Sequence, residues 1–153
     1  MKKLNIVIRV DGDACPGISL IEELAKKHNI NMKIYANYAH NINSDYAEVL
    51  LVDKSSQSVD MKIISETKEN DIIVTQDFGL ASIILSKKAY AIGPKGLIYT
   101  NENIDRLLSE RHLNAQIRKA TGRNKGPKKR TEEDNETLIN NLEKLIKKEL
   151  NTL

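Results

Sequence analysis

The chain has 153 residues, 40% apolar and 29% charged, with a formal net charge of +3, a length that suits one domain with a real core and is short for two. No apolar run approaches the roughly 20 residues of a membrane-spanning helix. The single cysteine, Cys15, excludes an intrachain disulfide and a cysteine-cluster zinc site, and one Phe with no Trp excludes a broad surface of stacked bases.

LNIVIRV at 4–10 is an apolar run interrupted only by Asn5 and Arg9, and Asp-Gly-Asp follows at once. It reads as a first strand buried on both faces, not as a secretion signal, because Arg9, Asp11 and Asp13 interrupt the apolar stretch; the expected location is cytoplasmic. After Pro16 and Gly17, Ile18, Ile21, Leu24 and Ala25 mark one face of a helix. NMKIYA at 31–36 and AEVLLV at 47–52 are the next strands, separated by a polar loop. A helix capped by Ser58 carries Val59, Ile63 and Ile64 inward. DIIVT at 71–75 is a fourth strand, FGLASIILSKK a helix and AYAI at 89–92 a fifth strand. Strand and helix alternate through residue 92, which predicts an α/β fold with a mostly parallel sheet of about five strands and helices on both faces. LIYT is a short extended piece and Asn101–Arg111 a helix capped by Asn101. Residues 114–130 have the composition of a flexible basic segment. A last helix starts at Thr131, and its Leu138, Leu142, Leu145 and Ile146 form a stripe that must dock on the domain or on a second copy, which permits a homodimer.

The charge is unevenly spread. Residues 1–80 carry 9 Lys/Arg against 12 Asp/Glu, and residues 81–153 carry 15 against 9. Between 106 and 130, Arg106, Arg111, Arg118, Lys119, Arg123, Lys125, Lys128, Lys129 and Arg130 face one acid, Glu110. Such a segment attracts phosphates without reading sequence, although a solvated connector has the same composition.

The acids lie elsewhere. Asp11 and Asp13 end the first strand, Asp53 follows the third, Asp60 opens the next helix, and Asp77 follows the fourth strand in Thr75-Gln76-Asp77. In an open parallel sheet, ligands bind beyond the carboxyl ends of the strands. Carboxylates gathered there suit a hard ion such as Mg²⁺ or Mn²⁺, and one or two such ions serve phosphodiester hydrolysis. The bland alternative is that Asp13 caps a turn and Asp60 stabilises its helix. Asp71 precedes the fourth strand, at the opposite end of the sheet from Asp77, and reads as a turn acid. No GxGxxG or GxxxxGK[ST] loop is present, and His28, His40 and His112 are too dispersed for zinc. Cys15, near a helix start, has a position that can lower a thiol pKa, yet no histidine accompanies it, so it reads as site lining and not as a nucleophile.

VDGDACP at 10–16 resembles the VDADACP signature of the YaiI/YqxD family of uncharacterised bacterial proteins. DIIVTQDFGLA at 71–81, GPKGLIYTNENI at 93–104, the Arg111-to-Pro127 pattern and Ser-Val-Asp at 58–60 resemble its later blocks. The resemblance spans nearly the whole chain. It implies a PIN-like, Rossmann-type α/β/α sandwich in which Asp11, Asp13, Asp60 and Asp77 form an acid cluster holding Mg²⁺ or Mn²⁺. It further implies that Thr75 and Gln76 line the site and that Arg111 and Arg118 contact phosphate or serve structure. Gly12 departs from the family's usual Ala, and the last helix lacks the family's arginine-rich tail. The reaction expected is metal-dependent phosphodiester hydrolysis, with RNA preferred. The alternatives are a non-catalytic nucleic-acid or ribonucleoprotein binder and a hydrolase of small phosphorylated metabolites.

Overall fold

A computed structural model describes residues 5–12, 15–37, 42–53, 56–122 and 129–151. Asp13, His40, Arg123, Lys125 and Lys128 lie outside the described residues. The elements run β1 (Val7–Asp11), α1 (Ile18–Lys27), β2 (Asn31–Asn37), β3 (Glu48–Val52), α2 (Ser56–Glu66), β4 (Ile72–Val74), α3 (Phe78–Ser86), β5 (Tyr90–Ile92), β6 (Ile98–Tyr99), α4 (Asn101–Thr121) and α5 (Glu132–Leu150). The sheet order is β3-β2-β1-β4-β5-β6. Every pairing from β3 to β5 is parallel, and β6 closes the edge antiparallel to β5. The alternating strands and helices of the sequence thus give the expected mixed, mostly parallel, Rossmann-like α/β arrangement, with LIYT adding a short sixth strand.

Period-two alternation sorts the strand residues onto two cores. Ile8, Val10, Ile34, Ile72 and Val74 meet Ile21, Leu24 and Ala25 of α1 and Leu138, Leu142, Leu145 and Ile146 of α5. Tyr35, Ile73 and Ala91 face the other way, onto Val59 and Ile63 of α2, Leu80 and Ile84 of α3, and Ile104 of α4. The α5 stripe is therefore used within the chain. Docking on the domain is the outcome, and the stripe is not an open face for a second copy.

Arg9 is the exception in β1, a charge 4% exposed among these apolar residues. Its Nε donates to Asp71 Oδ2 at 3.0 Å and its Nη1 to the Tyr35 hydroxyl at 2.6 Å, while that hydroxyl donates to Glu66 Oε1 at 2.6 Å. Asp71 also accepts from the Val7 and Lys68 amides, at 2.9 Å each. A buried charge persists only when its partners replace water this fully. Asp71 is thus the turn acid its position suggested, with a structural role at the end of the sheet away from Asp77.

Two helices differ from the sequence expectation at their ends. Helix α4 continues to Thr121, so residues 114–121 are helical; the αL residue Gly122 (φ +67°) then ends it. Its cap is Thr100, whose hydroxyl accepts from the Asn103 amide while the Asn103 side chain accepts from the Thr100 amide. Helix α2 begins before Ser58, whose hydroxyl instead donates to Asp53 Oδ1 at 2.6 Å. Gly96 fixes the seat of α5: at φ +95°, an added Cβ would stand 2.6 Å from the Thr137 carbonyl carbon and 2.7 Å from the Leu138 nitrogen.

Candidate active site

The chain builds outward from β1 through β2 to β3, then returns to start β4 on the other side of β1 and continues to β5. The crevice between the carboxyl ends of β1 and β4 is therefore the topological switch point, where open α/β sheets bind ligands. Val10 pairs with Val74 in register, so Asp11 and Thr75 are the next positions and share a face.

Thr75 is buried and held through every polar group it has. Its amide donates to the Ile92 carbonyl at 3.0 Å, and its carbonyl accepts from the Tyr99 hydroxyl at 3.0 Å. Its own hydroxyl donates to Asp11 Oδ2 at 3.0 Å and accepts from the Asp77 amide at 3.0 Å. One hydroxyl thereby ties the acid-bearing ends of two strands together. Burial, with the Asp77 charge adding to it, pushes the Tyr99 phenol up to about 12, which keeps it a neutral donor to Thr75.

Asp77 is the N-cap of α3; its Oδ1 accepts from the Leu80 amide at 3.1 Å. The same oxygen lies 3.9 Å from Arg111 Nη1 of α4, in a pair exposed enough that screening leaves it a positioning contact more than a source of stability. Gln76 is exposed between Thr75 and Asp77. Cys15 is half-buried, and burial, reinforced by the charge of Asp11 and partly offset by Arg130, pushes its thiol up to about 12. A raised thiol agrees with a lining or spectator role for Cys15 and not with a nucleophile.

Asp53 and Asp60 sit at other elements. Asp53 is exposed at the end of β3, two strands from β1 and so about 10 Å across the sheet. Asp60 is half-buried in the second turn of α2, which begins earlier than expected. Among the described residues, no three His, Cys, Asp or Glu side chains come together as a set able to hold a metal ion. Of the four acids expected, the described residues show Asp11 and Asp77 flanking Thr75. As hard oxygen donors these two fit Mg²⁺ or Mn²⁺, which take the rest of their shell from water and substrate.

The basic residues part company as well. Arg111 and Arg118 are exposed on α4 and line a cleft of about 700 Å³ between α3 and α4, with Phe78, Leu107, Asn114 and Ile117. Lys129 is exposed. Arg130 is not a solvated arm: its Nη1 donates to the Pro94 carbonyl and its Nε to Asn135 Oδ1, both at 2.6 Å. Its Nη2 passes so close to Gly17 that an added Cβ there would stand 2.8 Å away. Tyr99 and Phe78 escaped the sequence reading. A signal for Phe78 existed, as the chain's sole Phe directly after a strand-end acid; Tyr99 gave none, since its role depends on the antiparallel turn that brings β6 beside β5.

Fold and crevice define a Rossmann-like α/β protein with a carboxylate pair at the switch point of its sheet. The chain belongs to the family described as "Uncharacterized BCR, YaiI/YqxD family", which it matches over residues 9–148. It is 56% identical over 141 residues to a UPF0178 protein of Clostridium novyi, covering 92% of this chain and 95% of that relative. A UPF0178 protein of Clostridium perfringens is 53% identical with the same coverage, and one of Natranaerobius thermophilus is 42% identical over 129 residues, 84% of this chain and 88% of that relative. No solved structure matches.

Proposed function

We propose that the protein is a PIN-like, metal-dependent phosphodiester hydrolase acting on nucleic acid, RNA in preference. The observation that carries this reading is the Thr75 hydroxyl joining Asp11 to the backbone of Asp77 at the switch point, with Arg111 beside Asp77. Asp11 and Asp77 would hold Mg²⁺ or Mn²⁺, with Asp13 and Asp60 as further acids of the cluster. When bound, the ion supplies an activated water and neutralises charge developing on the phosphate. Thr75 fixes the direction of the Asp11 carboxylate, and Arg111 orients the phosphate without becoming part of the bond exchange.

Titration calorimetry of EDTA-stripped protein with Mn²⁺, beside Asp11→Asn/Asp77→Asn, tests the site. Saturable binding lost in the folded double variant, with metal-dependent cleavage of RNA lost alongside it, is the expected result. Full cleavage by the double variant overturns the assignment. The exposed arginines Arg111 and Arg118 also suit a second reading, a non-catalytic nucleic-acid binder. In that case binding survives both EDTA and Asp77→Asn, and no product forms.

A further inference from the structure

The cleft between α3 and α4 has a composition that the acid site does not explain. Phe78, Leu107 and Ile117 give it an apolar lining, and Arg111, Asn114 and Arg118 a row of donors. Phe78 is half-buried and braced edge-on by Tyr99, with ring centroids 5.8 Å apart, so part of a rigidly held ring remains open to the cleft. Arg111 and Arg118 are seven residues apart, two helical turns or about 10 Å along the α4 axis, with Asn114 between them. Glu110 also lines the cleft, and its charge is offset by Arg106 at 3.9 Å, one turn back.

Residues 109–121 of α4 are all exposed or nearly so, and the helix stands clear of the domain along one wall of the cleft. Apart from the contact of Arg111 with Asp77, that wall is left exposed among the described residues. An aromatic face in one cleft with two cations suits a stretch of single-stranded nucleic acid, a base with a phosphate on each side. A duplex keeps its bases stacked on one another and offers none to Phe78. A mononucleotide would engage one arginine and leave the second idle.

We propose that this cleft seats one unpaired nucleotide of a single-stranded chain next to the cut, its base on Phe78 and its flanking phosphates on Arg111 and Arg118. Asn114 reaches the edge of that base, and Asn side chains both donate and accept hydrogen bonds. The inference rests on the strand-end acids being the reacting centre, since Arg111 touches Asp77 and so sets the cleft beside them.

The test is fluorescence anisotropy with a labelled unstructured 12-nucleotide RNA, in EDTA so that nothing is cut. The wild-type protein binds the single strand more tightly than the matching duplex or a mononucleotide. Phe78→Leu, which keeps apolar bulk and removes the ring face, weakens binding about tenfold or more. Arg111→Gln and Arg118→Gln, on exposed positions where folding is not at stake, each weaken it and lower the salt slope by about 0.7. Absence of single-strand binding, duplex or mononucleotide binding of equal strength, or wild-type affinity in both arginine variants overturns the proposal. Cleft-dependent binding without any Mn²⁺-dependent product would sink the hydrolase reading alone; cleavage with cleft-independent binding would sink the cleft alone.

Discussion

The Thr75 hydroxyl stands between Asp11 and Asp77, donating to the carboxylate of one and accepting from the amide of the other, each at 3.0 Å. Thr75→Val keeps the shape of the side chain and deletes both bonds. It leaves the part-buried Asp77 amide without that acceptor and costs about 1 kcal/mol in urea unfolding. On the proposed function it also abolishes metal-dependent cleavage, whereas Thr75→Ser preserves both. Wild-type cleavage by the folded Val variant would show that the bridge has no bearing on the reaction.

Arg9 and Asp71 form the other buried polar contact of the sheet. Arg9→Met removes the cation and leaves the Asp71 carboxylate buried, with a cost of about 3–5 kcal/mol. Adding Asp71→Asn recovers part of the loss, because no uncompensated charge remains. Urea midpoints of the two single variants and the double variant measure this coupling, and strict additivity would contradict it.

Glu66 gives this network a pH dependence. Burial pushes its carboxyl up, but hydrogen bonds from Tyr35 and Lys62 outweigh that, and its pKa in the folded protein lies below the ordinary 4.5. Its contribution to stability is therefore fully present above the unfolded value near 4.5 and is lost as pH falls through the lower folded value. Glu66→Gln keeps an acceptor for Tyr35 and removes the titration. Thermal melts across the acid range should show a shallower decline for the variant than for the wild type.

Gly96 and Gly122 share a left-handed backbone but not an environment. Among the described residues nothing lies within 4 Å of a Cβ added at Gly122, so Gly122→Ala costs the conformational penalty, about 1–2 kcal/mol. At Gly96 the same methyl meets the α5 backbone at 2.6 Å, so Gly96→Ala loses distinctly more. Comparing denaturant midpoints of the two variants isolates the contribution of α5 docking, and equal losses would mean that the helix shifts without cost.

Much of this architecture was legible in the residues themselves. Ile72, Ile73 and Val74 are apolar on both sides because both sides of β4 are covered, and Asp77 is marked by its place just after that run. The α4 extension was not legible. Residues 112–121 are exposed all round, so no apolar stripe records them as helix; they stay helical through good local formers such as Leu113, Gln116, Arg118 and Ala120, with Gly122 as the stop. The sequence groups Arg130 with the phosphate-attracting residues because its acceptor Pro94 is remote in sequence and meets it only after folding. The metal set was legible in part: strand-end acids announce which edge they occupy, but not how far a side edge such as Asp53 lies from the centre.

The packing of α5 against α1 also orders events during synthesis. The core that contains Ile8, Ile21, Ile34 and Val74 is completed by Leu138, Leu142 and Ile146. A ribosome-bound chain whose α5 has not yet emerged has α1 alone on that side of its sheet, with the rest of that apolar surface uncovered. The opposite side can already close with α2, α3 and the first turns of α4 in place. The nascent protein thus passes through a partly clad stage, closed on one side and adhesive where α5 is missing on the other, until that helix is free to fold back.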